Sequence, residues 1–293
     1  MADVFGVIIR SFEYGSIYAL AALGIILVYR TSFMVNFAQG VIGMFNTYVV
    51  ATMLTKYNIP FVASIIIGVI TSILMGIIID IVVIRPAKHV TGAGKEIITL
   101  GILSVILGIA PMLFGVYDIP LPRLIQSGSA NILGTDFSYN SIFNIFFGLF
   151  VMIVLFLILK KTKAGLAIRT TASNEATARL MGVHTKRVTM IAWAVAGALS
   201  CLAGVMAAPF STVSLHFMND ILTLTFMACI FGGFQTFHGP VIAAYIIAVV
   251  SNLLQVYLPN GTVWGRPITY ILILIILVMK PTGIFGKKIV KKV

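Results

Sequence analysis

Long apolar runs, interrupted at short intervals by charged and turn-forming residues, set the pattern of this chain. Hydropathy marks candidate spans at 12–29, 36–55, 61–84, 97–116, 140–159, 188–208, 219–236, 240–258 and 267–280. A helix crosses the hydrocarbon of a bilayer with about 20 apolar residues. The run from Phe61 to Ile84 is long enough, and Arg85 and Pro86 close it. The expected fold is all-α, a polytopic transmembrane bundle of about 8–10 spans with a short helix outside the membrane. Phe5, Ile8, Ile9 and Phe12 recur at helical spacing, so residues 1–11 are expected to lie as a separate helix in the interface.

Composition agrees with the pattern: 60% of residues are hydrophobic, only 10% are charged, and the mean hydropathy is +1.09. A soluble domain carries about 25% charged residues. The net charge of +12 would suggest nucleic acid in a soluble protein, but here the charges sit between apolar runs and act as topology determinants. Arg30, then Arg85, Lys88 and Lys95, then the group from Lys160 to Arg187, then Lys280 and the Lys-rich tail fall on one side. The other side carries Lys56, Arg123 and Arg266, besides Arg10 near the start. The richer side is expected to be cytoplasmic, with the C-terminus inside and, for an odd number of crossings, the N-terminus outside. The Met-Ala-Asp start lacks a basic region, so no cleavable signal peptide is expected. Cys201 and Cys229 lie in separate spans and make neither a metal motif nor a disulfide framework.

Two segments outside the spans are long enough to matter. Tyr117–Tyr139, on the outer side, contains Pro120, Pro122, Gly128 and Gly134 and reads as an irregular loop or partial cap. The inner segment Lys160–Arg187 contains a helix-like stretch, which Ser173 or Asn174 can cap and Gly182 can close in the left-handed conformation. About eight residues between them make roughly two turns, or about 12 Å. Glu175 and Arg179 stand at i,i+4 with the acid first, the favourable order, and Ala176 and Leu180 form one apolar stripe. That stripe can bury itself in a groove of a partner or on lipid headgroups, and physics alone leaves both open.

Asn36, Gln39 and Gly40 open a span, and unpaired amides in hydrocarbon are costly, so they should face protein or a water-filled path. Gly232-Gly233-Phe234-Gln235-Thr236-Phe237-His238-Gly239-Pro240 interrupts two apolar runs, either as part of a transport pathway or as a tight loop. His216 and His238 read as loop histidines. The small residues from Ala192 to Gly204 predict close helix packing. Asp80 sits within a span with Arg85 five residues on, which predicts local pairing at the inner interface. The chain shows no phosphate-binding G-x-x-x-x-G-K-[ST], no metal-ligating cluster and no paired carboxylates, so no catalytic or metal site is expected. A pore without its own energy source needs a partner or works passively.

Taken in order, several stretches give the chain a resemblance to the permeases of branched-chain amino acid ABC importers, of the LivH type. They are Gly15-Ser16-Ile17-Tyr18-Ala19-Leu20, Asn36-Phe37-Ala38-Gln39-Gly40, Asp80 to Arg85-Pro86, Gly165-Leu166-Ala167-Ile168-Arg169, Ala178-Arg179-Leu180-Met181-Gly182, Gly197-Ala198 to Ala203-Gly204-Val205, Gly232-Gly233 and Pro281-Thr282-Gly283-Ile284-Phe285-Gly286. The chain departs from the family's N-F-A-H-G-E at Gln39 and Val41, and from G-G-x-G-S-x-x-G at Gln235, Thr236 and His238. The resemblance implies a single permease domain over 1–293 in a bacterial plasma membrane, with branched-chain amino acids as solute. It implies a second related permease (LivM type), two cytoplasmic ABC ATPase subunits that hydrolyse ATP, and an extracytoplasmic solute-binding protein; this chain itself carries no cofactor and is not an enzyme. Coupling to the ATPase then falls to Arg169, Glu175, Ala176, Arg179, Leu180, Met181 and Gly182, and the pathway to Asn36, Gln39, Gly40, Asn46, Gly232 and Gly233. A permease for urea or short amides, and a passive channel, are the alternatives.

Overall fold

The computed structural model describes residues 4–132, 135–280 and 283–286. Its helices run α1 (Val4–Ser32), α2 (Gln39–Thr55), α3 (Phe61–Ile78, continued by a π-helical stretch, Ile79–Ile84), α4 (Gly92–Phe114), α5 (Tyr139–Lys161), α6 (Lys163–Ser173), α7 (Glu175–Leu180), α8 (Thr185–Ala207), α9 (Asn219–Gly232), α10 (His238–Tyr257) and α11 (Gly261–Met279). Among the described residues seven helices are long and apolar enough to cross a membrane: α1, α3, α4, α5, α8, α10 and α11. The other two expected spans are α2, of 17 residues, and α9, of 14. The chain is thus an all-α, multi-pass membrane protein. Pro281, Thr282, Gly134 and the Lys-rich tail after Gly286 lie outside the described residues.

Small residues decide which face of a helix turns inward. Along α3, Ser64, Gly68, Ser72 and Gly76 recur every four residues and are buried. Val62, Ile66, Ile70, Leu74 and Ile78, two residues out of phase, are all at least half exposed. This inverts the soluble pattern, because lipid is as apolar as a core and helices associate by close approach rather than by apolar burial. A methyl on Gly76 would strike the Trp193 carbonyl of α8, one on Gly197 the Ser72 carbonyl, and one on Gly204 the Thr47 hydroxyl of α2.

Helices α1 and α8 are the centre of the bundle, with 89% and 67% of their most apolar stretches buried, against 17% for α4 and α11. Two faces of α8 feed two apolar clusters. Ala192, Leu199, Ala203 and Met206 join α1, α5, α9 and α10. Trp193, Ala196, Cys201 and Val205 join α2, α3 and α4.

Four expectations need correction. Residues 4–11 are no separate interfacial helix but the first turns of α1. Polar residues of this end of α1 have distant partners: Ser11 accepts from Asn252 Nδ2 at 3.1 Å, and buried Glu13 accepts from Asn144 Nδ2 at 2.7 Å. The 117–139 loop carries a hairpin, β1 (Ser129–Ile132) paired antiparallel to β2 (Thr135–Ser138). It is also pinned to the segment after α8 by the Ile119–Val213 bridge and by Thr212 Oγ1 donating to Asp118 at 2.8 Å. The inner segment holds two helices, α6 and α7, and α7 has six residues instead of about eight. Finally α11 starts at Gly261, because Pro267 sits inside the helix rather than at its start.

Candidate translocation and coupling sites

The turn between α1 and α2 begins at Phe33, whose φ of 53° is uncommon for a bulky residue. It is locked by amides. Asn36 Oδ1 accepts from the Ala38 N–H at 3.0 Å, and Asn36 Nδ2 donates to Gln39 Oε1 at 3.0 Å. Gln39 Nε2 donates to the Ala196 carbonyl at 2.9 Å, and Ser200 Oγ donates to the Gln39 carbonyl at 2.6 Å. Asn36, Gln39 and Ser200 are all buried, so these amides face protein, and the chain Asn36–Gln39–Ala196 fastens the α1–α2 turn to α8. Gly24 of α1 admits the Gln39 amide, which a methyl there would displace. Val41 packs in the apolar cluster around α2 and α3.

Asn46 stands two turns along α2 and is placed differently. Its Nδ2 bonds the Ile42 carbonyl at 2.8 Å, and its Oδ1 accepts from Thr71 Oγ1 at 2.8 Å. With Thr71 and Met75 it lines a cavity of about 770 Å³ between α3 and α4, walled by Ile98, Ile102 and Val105. Gly40 packs against Leu222 of α9. Gly232 and Gly233 sit apart from the amides, at the α9–α10 turn. A methyl on Gly232 would collide with Gly239, and Gly233 has a φ of 88°. The chain after α11 returns to this turn: Gly283 lies against Gly233, and the Ile284 N–H donates to the Phe231 carbonyl at 2.7 Å. The end of α1 meets it too, with Tyr29 on Phe234 (centroids 4.5 Å apart) and the Arg30 guanidinium 4.7 Å from the Phe237 ring centre.

Helix α7 starts because Asn174 leaves the helical conformation and its side chain accepts from the Thr177 N–H at 3.1 Å, satisfying an orphan donor. Gly182, with φ of 80°, ends it. Arg179 pairs with Glu175 and also donates through Nε to Thr185 Oγ1 at 3.0 Å, which ties α7 to the first turn of α8. Ala178 is the buried residue of α7, whereas Ala176, Leu180 and Met181 are exposed, Leu180 to 88%. Arg169 lies on α6, where it reaches the Lys160 carbonyl at 3.4 Å.

Below α7, Arg85 joins the same region. Its Nε contacts Asp80 Oδ2 at 2.9 Å, and its Nη2 donates to the Lys186 carbonyl at 3.1 Å. Asp80, Arg85, Glu175, Arg179 and Lys186 border one polar recess of about 530 Å³. Single positions gave no warning of Ser200, Thr71, Thr185 or the Ala196 carbonyl, because each becomes a partner only when two distant helices meet; polar residues inside apolar runs were the one signal available.

Among the described residues, an apolar helical bundle with buried amides at a helix break and a short exposed helix at one end defines a membrane permease. The family model described as "Branched-chain amino acid transport system / permease component" matches residues 7–278, and the chain belongs to that family. It is similar to the probable branched-chain amino acid transport permease protein LivH of Methanocaldococcus jannaschii, with 31% identity covering 93% of this chain and 90% of the relative. It is also similar to the high-affinity branched-chain amino acid transport system permease proteins LivH of Escherichia coli (26% identity, 95% and 94% covered) and BraD of Pseudomonas aeruginosa (24%, 98% and 97%). Among solved structures, PsaBC from Streptococcus pneumoniae in complex with Fab has a chain of the same fold, at a TM-score of 0.50 and 12% identity, with 94% and 91% covered.

Proposed function

We propose that this chain, as a single permease domain, forms one part of the pathway of a branched-chain amino acid importer and is driven by ATP hydrolysed on separate subunits. Its partners in this reading are a second related permease, two cytoplasmic ABC ATPases and an extracytoplasmic solute-binding protein. The relatives' names favour branched-chain amino acids over urea or short amides. The observation that carries the coupling half is α7: Leu180 and Met181 stand 88% and 62% exposed at the basic end, on a helix braced from behind by Arg179 and Ala178. Apolar side chains held in water by a braced helix fit a partner's groove. Arg169, Glu175, Ala176, Arg179, Leu180, Met181 and Gly182 form the docking segment, and the basic end, with the C-terminus, faces the cytoplasm. Asn36, Gln39 and Gly40 shape the pathway by fixing the α1–α2 turn, Asn46 faces the open cavity, and Gly232 and Gly233 hold the α9–α10 turn.

Uptake of labelled leucine, isoleucine, valine and urea by cells with and without the chain tests this reading. Loss of the three amino acids with urea unaffected is the expected result; loss of urea uptake alone overturns the substrate, and no loss overturns the function.

A further inference from the structure

A second polar recess, of about 490 Å³, opens at the end of the bundle opposite α7. At its rim Arg266 of α11 pairs with Asp220 in the first turn of α9. We propose that this recess is a binding subsite for a free α-amino acid with an apolar side chain, its carboxylate on Arg266 and its ammonium on Asp220. The proposal rests on the importer reading and deepens it.

Charge is the first argument. The two rim groups come from different helices and keep 45% and 61% of their side-chain surface exposed. A zwitterion carries the same two charges, so each rim group can exchange its present partner for the matching end of the solute with no change in net charge. Guanidinium matches carboxylate geometry well, through two parallel N–H donors. A neutral amide such as urea can hydrogen-bond to both groups but brings no charge to replace the one each gives up.

Tyr18 is the second. Only 7% of it is exposed, yet its phenol lines the recess and hydrogen-bonds to no other described residue. Arg266 and Asp220 line the same recess. The Tyr18 hydroxyl is open to the recess rather than fully enclosed, and can donate to a ligand there. Ile17, Phe217 and Ile221 supply apolar wall for a branched side chain. The volume lies within the roughly 300–1,000 Å³ of small-molecule sites.

The third argument is the length of α9. Its 14 residues extend about 21 Å, against about 30 Å of hydrocarbon, so one end begins inside the layer. The recess lies beside the first turn of this short helix, lined by Asn219, Asp220 and Ile221. Short spans of this kind mark solute sites in transporters.

Labelled leucine is titrated onto the purified transporter assembled without its solute-binding protein, with 4-methylpentanoate (no ammonium) and 3-methylbutylamine (no carboxylate) as competitors. Saturable binding is expected, with each analogue competing roughly tenfold less well than leucine, as suits the loss of one charge-assisted contact. Arg266→Gln should abolish the preference for leucine over the amine, and Asp220→Asn the preference over the acid. Tyr18→Phe, which keeps the ring, should weaken leucine binding with an unchanged melting midpoint. Absence of saturable binding to the wild type overturns the proposal. So does leucine affinity within about twofold of wild type in both charge variants, or a defect confined to capture of the solute-binding protein. If leucine uptake by cells still depends on the chain in those cases, the importer reading stands and only the subsite falls.

Discussion

Arg85 reaches across from the end of α3 to donate to the Lys186 carbonyl in the first turn of α8, at 3.1 Å. The same guanidinium holds Asp80 in the π-helical stretch of α3. Arg179 meanwhile binds Thr185, one residue before Lys186. Contacts therefore run without a break from α7 through Thr185 and Lys186 at the start of α8 to Arg85 and Asp80 of α3. Single-turn π-helical segments often occur at functional sites.

Breaking the Arg85–Asp80 pair should be costly. The Asp80 side chain is 1% exposed, so Arg85→Gln leaves a buried carboxylate without its counter-ion. A loss of roughly 3 kcal/mol is expected, the low end for a broken buried pair because Arg85 is partly solvated. Adding Asp80→Asn should restore most of it. Thermal unfolding of the purified protein in detergent measures both; an Arg85→Gln variant that melts like wild type contradicts the account.

The exposed face of α7 gives the opposite profile. Leu180→Asp changes a side chain that is 88% exposed, so the melting midpoint should stay within about a degree of wild type, as for most surface substitutions. Co-purification with the ATPase and leucine uptake should both fall. Gly182→Val should also lower uptake, since a β-branched residue is strained at a φ of 80°. Normal uptake by both variants removes α7 from the coupling role.

Glycines separate packing from lipid exposure. Gly76→Val would press on the Trp193 carbonyl and force α3 from α8, costing about 1–3 kcal/mol. Gly101 of α4 has no atom within 4 Å of an added methyl, so Gly101→Ala should gain about 0.5–1 kcal/mol of helix propensity. The pair of melting shifts, opposite in sign, checks the inward face of each helix.

Gln39→Leu removes the bonds to Asn36 and to the Ala196 carbonyl and leaves buried groups unsatisfied, for a cost of about 1–3 kcal/mol. Its melting midpoint should drop, whereas Asn46→Leu, beside an open cavity and with Thr71 still bonded to the Gly68 carbonyl, should drop less and act more on uptake.

Local signals carried much of this structure. Arg85 and Pro86 closing an apolar run, Asn174 as a cap and Gly182 in the left-handed region are all decided within a few residues, and they stand where the pattern placed them. The continuity of α1 was not legible, because buried Glu13 is partnered by Asn144, 131 positions away. The fate of the amides was equally hidden. Asn36 and Gln39 read as pathway or packing alike until Ala196 and Ser200 of α8 arrive beside them. The 117–139 hairpin escaped because four-residue strands rich in turn residues have no periodicity to detect.

Reconstitution tests the central claim most directly. The chain is assembled in liposomes with its partner permease and ATPases, with the solute-binding protein on the outer side, and labelled leucine is followed with ATP inside. Accumulation that needs both ATP and the binding protein, and that is lost with Leu180→Asp, is the predicted result; leucine that equilibrates through the chain alone, without nucleotide, would contradict it and make the protein a passive channel.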